Sequence, residues 1–248
     1  MSLFVSFEGG EGSGKTTQTD LLRQQLERVN VQYLFIHEPG HTNLGEHIRT
    51  LLKGNRFGKE TISKGAELFL FVAARAELVS KVLKPSLKNK GAIIIADRFA
   101  DSTIAYQGYG RKLPLDLVGS MNALATDDIT PDMTFLLDCP PEVGLRRLGV
   151  TQIELGVQES EHVGRLDEED SRKFEELPLA FHERVRQGYH ELAQQEPGRW
   201  CIVDATKSED DIHRKIWKRF RNLLETNGVD LAGNLTADDL LRPLDTPN

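Results

Sequence analysis

The segment Gly9-Gly10-Glu11-Gly12-Ser13-Gly14-Lys15-Thr16 sets glycines at 9, 10, 12 and 14 ahead of a lysine and a hydroxyl. Glycines let the backbone curl until its N–H groups converge, and such a concavity holds phosphate oxygens. Lys15 reaches the β- and γ-phosphates of a bound nucleoside triphosphate, and the Thr16 hydroxyl ligates its Mg²⁺. Thr17 adds a second hydroxyl at the loop–helix junction. A turn that bound nothing would have no use for Lys15 followed by two threonines.

Further residues with chemical potential follow in order. Glu38-Pro39-Gly40 combines a carboxylate with a tight turn, although an ordinary turn has the same composition. Glu67, Phe71 and Arg75 are spaced i, i+4, i+8 and share a helix face. An aromatic plane and a guanidinium suit a planar base; the plainer alternative is a core Phe71 and an Arg75–Glu67 pair. Asp97-Arg98 suits a Mg²⁺ shell and a bidentate grip on phosphate. Ser102, Thr103, Tyr106 and Gln107 suit a sugar or a base edge, and Ser102 or Thr103 could equally cap a helix. Arg146, Arg147 and Arg165 flank a polar stretch, Gly149–Gly164, where a closing lid would bring cations to a transferred phosphoryl group. Arg172, Arg184 and Arg186 read as solvated-face residues. His37, His41 and His47 match no common zinc spacing.

These residues need a scaffold. Apolar runs at Leu3–Glu8, Tyr33–His37, Ala92–Asp97, Thr134–Asp138 and Trp200–Asp204 read as strands. Between them lie helical patterns at Thr16–Val29, Leu44–Lys53, Lys64–Lys88, Ser102–Tyr106 leading into Leu115–Ala125, Pro141–Leu148, Asp170–Gln194 and Glu209–Glu225. Pro85 is expected to bend or end the third. The alternation predicts an α/β fold, a mostly parallel sheet covered on both faces, with ligands beyond the carboxyl ends of the strands. Glu8, His37-Glu38, Asp97-Arg98, Asp138 and Asp204 occupy those ends. One domain over residues 1–226 is expected, with residues 227–248 a weakly held tail carrying a short helix at Thr236–Leu241.

The chain has 248 residues, 39% of them hydrophobic and 28% charged, so it can bury a substantial core. Its net charge of −7 argues against broad nucleic-acid or membrane-surface binding. No apolar run approaches spanning length. Cys139 and Cys201 lie in or beside strand-like runs and read as buried thiols, and the N-terminus shows no signal-peptide layout. A cytoplasmic protein is expected.

The segments FEGGEGSGKTTQ, HEPG, ELFLFVAAR, DRF with DSTIAYQG, LLDCPPEVGLRR and FHERVRQGYHELA resemble those of bacterial thymidylate kinases in order and spacing, over roughly residues 3–205. The resemblance implies a P-loop kinase fold, a five-stranded sheet with a lid over about 149–164, homodimers, and phosphorylation of dTMP to dTDP by ATP with Mg²⁺ in dTTP synthesis. It implies ATP binding by Gly9 through Thr17 and metal binding by Thr16 and Asp97. Lys15, Asp97, Arg98 and a lid arginine, Arg165 before Arg147, would be catalytic. Phe71 would stack on thymine, Arg75 would contact a thymine oxygen, and Arg98 would bind the acceptor phosphate. Glu11 would lie near the acceptor sugar. Glu38, Pro39, Ser102, Thr103, Tyr106 and Gln107 would complete the pocket, with Tyr106 disfavouring a 2′-hydroxyl.

The chain departs from the family pattern at three places. His37 and His41 stand where arginine and glycine are usual, no Arg or Lys lies between Arg147 and Arg165, and Gly164 replaces an aspartate. Position 12 is glycine, as in the class that draws its catalytic arginine from the lid. Slower turnover or altered acceptor preference is expected. The rival readings are a kinase for another pyrimidine nucleoside monophosphate or nucleoside, with Glu8 or Glu38 as base, and a nucleotide-binding protein with reduced catalysis.

Overall fold

The computed structural model describes residues 2–53, 62–150 and 174–229. Five strands, β1 (Leu3–Glu8), β2 (Leu34–His37), β3 (Ile93–Asp97), β4 (Met133–Asp138) and β5 (Trp200–Asp204), form one sheet in the order β2-β3-β1-β4-β5. Every pairing is parallel, with Phe7 opposite Asp97 and Phe135 on its two sides. All six β1 residues are buried, as a central strand covered on both faces requires.

The helices are α1 (Lys15–Arg28), α2 (Asn43–Lys53), α3 (Lys64–Leu78), α4 (Lys84–Leu87), α5 (Ala100–Thr103), α6 (Leu115–Thr126), α7 (Pro141–Arg147), α8 (Leu179–Gln195) and α9 (Glu209–Thr226). On one face, Leu22 and Leu26 of α1 and Ile216 and Phe220 of α9 pack on Phe7, Phe135 and Val203. On the other, Leu78, Val79 and Leu83 pack on Phe4, Ile36 and Ile94. Leu136 and Trp200 carry α8 through Val185, Tyr189 and Leu192.

The helix expected over Lys64–Lys88 is found, and one boundary elsewhere differs from expectation. Pro85 does not end its helix: α3 widens into a π turn at Val79–Leu83 and continues as α4, which accommodates the missing proline N–H. The helix expected from Asp170 starts at Leu179, because Pro178 sits at its N-cap and Phe174–Glu176 form turns. The expected lid beyond Val150, Arg165 and the helix at Thr236–Leu241 lie outside the described residues.

Candidate active site

The carboxyl ends of β1, β2 and β3 open on a cleft of about 750 Å³. The loop between β1 and α1 forms its floor. Gly12 and Gly14 hold φ values of 63° and 90°, the left-handed region that glycine reaches without Cβ strain. No side chain caps α1, so its first N–H groups and the positive end of its dipole are left for an anion. Lys15 Nζ lies over the loop and donates to the carbonyls of Gly9 (3.1 Å) and Gly10 (2.9 Å).

The loop rests directly on α7. A Cβ at Gly12 would lie 2.0 Å from the Gly144 carbonyl oxygen, and one at Gly144 would lie 2.1 Å from that of Glu11. Backbone meets backbone, so a side chain at position 12 has no room. Gly144→Ala should therefore destabilise the fold by about 1–3 kcal/mol and weaken ATP binding by displacing the loop. A melt and an ATP titration of the variant check both; an unchanged ATP affinity would contradict the stated contact.

Arg98 stands at the centre. Its backbone adopts φ 70°, an uncommon conformation for a side-chain-bearing residue. Nη1 donates to Gly9 O (3.1 Å) and Ser102 Oγ (3.2 Å), and Nη2 to Tyr106 Oη (3.2 Å). Nη2 also lies 3.4 Å from both oxygens of Glu11, and the guanidinium lies over the Tyr106 ring. Glu11 accepts a further bond from Tyr106 (2.7 Å). Burial opposes the Glu11 charge, but Arg98 and Lys15 outweigh it and hold the carboxyl below its ordinary value.

Behind Arg98 lies Glu8, fully buried and not among the cleft-lining residues. Its carboxylate accepts from the Phe99 N–H (2.8 Å), Ser102 Oγ (2.5 Å) and Tyr189 Oη (2.9 Å). Burial, with the Asp101 charge, lifts its pKa to about 7. A group so enclosed cannot serve as base for a 5′-hydroxyl in the cleft. Ser102 and Thr103 lie inside α5 and do not cap it; Phe99 holds the cap position.

Arg75 is 1% exposed and wholly engaged by protein. It bonds Glu38 through Nε (2.8 Å) and Nη2, Thr103 (2.9 Å) and Asn122 (2.7 Å) through Nη1, and the Phe99 carbonyl (3.1 Å) through Nη2. The alternative Arg75–Glu67 pair does not form, because Glu67 pairs with Arg111. Arg75 is not among the cleft-lining residues and would need to move for direct contact with a base. Glu38, Pro39, Phe71, Ser102, Thr103, Tyr106 and Gln107 do line the cleft. Glu38 Oε1 is buried without a partner.

Asp97 and Thr16 also line the cleft, and one Asp97 oxygen, Oδ1, is buried without a partner. Among the described residues no group of three or more His, Cys, Asp or Glu could hold a metal by itself.

Several cleft residues were not singled out from sequence. Arg49 and Lys53 of α2 line it, and Arg49 Nη1 donates to the Pro39 carbonyl (2.8 Å). Glu46, Arg49 and Lys53 stand at i, i+3, i+7 just after the Glu-Pro-Gly turn, which is the signal that marks them. His37 bonds Glu46 (2.9 Å). Phe174 and Glu175 complete the wall. Arg147 also lines the cleft, donating to Ala205 O (2.9 Å). Two arginines expected on a solvated face are tied down instead: Arg186 clamps Asp138 bidentately (2.7 and 2.9 Å), and Arg184 donates to Gly110 O (2.9 Å). Asp138 and Asp204 lie outside the cleft lining, with Asp204 bonded to Thr206.

Burial, reinforced by Arg98, brings the Lys15 amine down to about 8. The unfolded amine titrates near 10.5. Between these values the unfolded chain binds more protons, so this group makes stability rise with pH. Phosphate binding needs the charged form. The rate constant kcat/KM for ATP should therefore fall above pH 8, by up to about tenfold per pH unit. Binding at pH 8.5 should take up a proton, visible as a buffer-dependent heat; a buffer-independent heat would contradict this.

Comparison with known proteins adds a second line. A family model described as thymidylate kinase matches residues 7–216. A thymidylate kinase of Kosmotoga olearia is 41% identical over 229 residues, 92% of this chain and 100% of that protein. One of Desulfovibrio desulfuricans is 43% identical over 210 residues, 85% and 91% of the two chains. The crystal structure of thymidylate kinase from Ehrlichia chaffeensis superposes with a TM-score of 0.64 at 32% identity, covering 88% of this chain and 98% of that one. No helix among the described residues is long and apolar enough to cross a membrane.

Proposed function

The chain belongs to the thymidylate kinase family, and on that footing we propose that it transfers the γ-phosphoryl group of ATP to dTMP, giving ADP and dTDP. The observation that carries the reading is the placement of Arg98, which touches both the phosphate loop at Gly9 and the Tyr106–Glu11 pair. One guanidinium thus bridges the loop that would hold the donor and the wall that would hold the acceptor.

An oxygen of the dTMP phosphate attacks the γ-phosphorus as the bond to the β-phosphate oxygen breaks. The acceptor is already an anion, so little proton abstraction is needed. Catalysis is positioning and charge neutralisation. Loop N–H groups and Lys15 hold the β- and γ-phosphates, and Arg98 sits between donor and acceptor. Arg49 and Lys53 add positive charge on the α2 side of the cleft, the charge missing at His37. Thr16 and the unpartnered Asp97 oxygen are hard oxygen donors that suit Mg²⁺ completed by ATP phosphates. Bound there, Mg²⁺ would neutralise phosphate charge. Phe71 stacks on the thymine, and Arg147 and Arg165 are the cations for the transferred group, Arg165 first. A single catalytic domain spans residues 1–226, and the cytoplasm supplies both substrates.

The homodimer belongs to the same reading. Leu68, Leu78 and Leu83, apolar residues along the helical stretch that starts at Lys64, are buried in the chain's own core and leave no side chain there for a partner. Among the exposed apolar residues are Phe69 (59%) on α3 and Leu117 and Leu124 (46% and 83%) on the adjoining α6. Such a patch on paired helices suits a second copy of itself. Sedimentation should show a dimer, and Leu124→Glu should shift it to monomer; a wild-type monomer at micromolar concentration would contradict the assignment.

The reaction is tested by incubating the protein with γ-labelled ATP, Mg²⁺ and dTMP. Label in dTDP supports it. Label released only as inorganic phosphate, or passed to thymidine instead, would overturn it.

A further inference from the structure

Gln107 is almost wholly buried, yet it lines the cleft that Phe71 also lines. Its amide is held from behind. Nε2 lies 2.9 Å from Glu67 Oε1. The same oxygen accepts from Arg111 Nε (3.0 Å), and Oε2 accepts from Arg111 Nη2 (2.8 Å). Glu67 is buried, and the Arg111 guanidinium is itself seated over the Phe174 and Phe181 rings.

A carboxylate clamped by a guanidinium accepts hydrogen bonds and donates none. The amide atom facing it must therefore be the NH₂ group. The carbonyl Oε1 of Gln107 is turned the other way and has no protein partner among the described residues. Turning the amide over would cost the bond to Glu67 and set an oxygen against a buried carboxylate. The cleft thus meets a fixed acceptor at this position.

We propose that Glu67, held by Arg111, is a positioning residue that fixes the Gln107 amide so that the site takes a pyrimidine bearing an N3–H and rejects a 4-aminopyrimidine. The inference rests on the proposed dTMP site. Thymine and uracil present a donor at N3. Cytosine presents a lone pair there, so two acceptors would face each other in a desolvated pocket. Sites built to pair a donor discriminate strongly against analogues that lack it. Nothing in this arrangement separates thymine from uracil.

Calorimetric binding of dTMP, dUMP, dCMP and N3-methyl-dTMP tests it. The wild-type protein should bind dTMP and dUMP about 100-fold more tightly than dCMP or the N3-methyl analogue. Glu67→Leu removes both acceptor oxygens and frees the amide to turn, so the dTMP:dCMP preference should narrow at least about tenfold. Glu67→Gln, the smaller change, should narrow it in the same direction and stands in if the leucine variant does not fold. A merely structural role for Glu67 would weaken both nucleotides alike and leave the ratio unmoved. An unmoved ratio in a folded variant, or wild-type binding of N3-methyl-dTMP as tight as dTMP, overturns the proposal. Because binding is read and not turnover, a protein that binds dTMP selectively without phosphorylating it would sink the kinase reading and leave this one intact.

Discussion

Arg98→Ala will lower kcat/KM for dTMP by at least about 10³-fold, the scale at which a guanidinium on transferring phosphoryl charge acts. The side chain is half-buried and held from several sides, by Gly9 O, Ser102, Tyr106 and Glu11, and those partners leave it little freedom to move. Preorganised charge of this kind costs no reorganisation during reaction. Its removal also leaves the half-buried Glu11 carboxylate facing the place where phosphate charge would sit, so the variant meets repulsion as well as lost attraction. Arg98→Lys should recover little, since an ammonium cannot bridge the loop carbonyl and the Tyr106–Glu11 pair together. Arg98→Gly is the control for folding, because it relieves the φ 70° backbone. A glycine variant that melts near the wild-type temperature yet lacks activity would place the effect in the chemistry. Near-normal kinetics in any of the three would remove Arg98 from the mechanism.

Lys15→Ala will reduce kcat by a similar factor, at least about 10³, and will remove the proton uptake on ATP binding expected at alkaline pH. Its ammonium is the one positive group bonded to the loop carbonyls of both Gly9 and Gly10 among the described residues. Burial lowers its pKa to about 8, so its charge is held against a desolvation cost. Bound phosphates would offset that cost. Steady-state and single-turnover rates at pH 7 and pH 9 separate the two effects. A variant that keeps buffer-dependent binding heat would show that the titrating group is elsewhere.

Much of this was legible in residues. Strand runs such as Leu3–Phe7, broken only by Ser6, and Ile93–Ile95 are almost continuously apolar, and that pattern has few readings besides a buried parallel strand. The phosphate loop is legible because glycine, lysine and threonine at that spacing meet no packing need. Less legible was what lies behind a site residue. Arg75 and Glu38 are 37 positions apart and meet only through the sheet. Helical spacing offers Glu67 the neighbour Arg75, whereas Arg111, 44 positions on, reaches it from beyond the π turn at Ile104–Gly110. Local spacing proposes i, i+4 and i+8 partners, and tertiary packing overrides it when a distant guanidinium fits both oxygens. The charged stripe of Glu46, Arg49 and Lys53 also suits a solvated helix face, and it becomes a cleft wall only because α2 packs beside the Glu38-Pro39 turn. Pro85 leaves both a bend and a stop open in the sequence, and packing decides between them: a wider turn absorbs the breaker and the helix runs on to Leu87.

The central claim is tested most directly by coupled ADP release with ATP and Mg²⁺, comparing dTMP with UMP and thymidine, beside the Lys15→Ala control. Rapid release with dTMP, little with the other two and none in the control is the predicted result. ADP release that is equal with and without dTMP, or faster with thymidine, would contradict it.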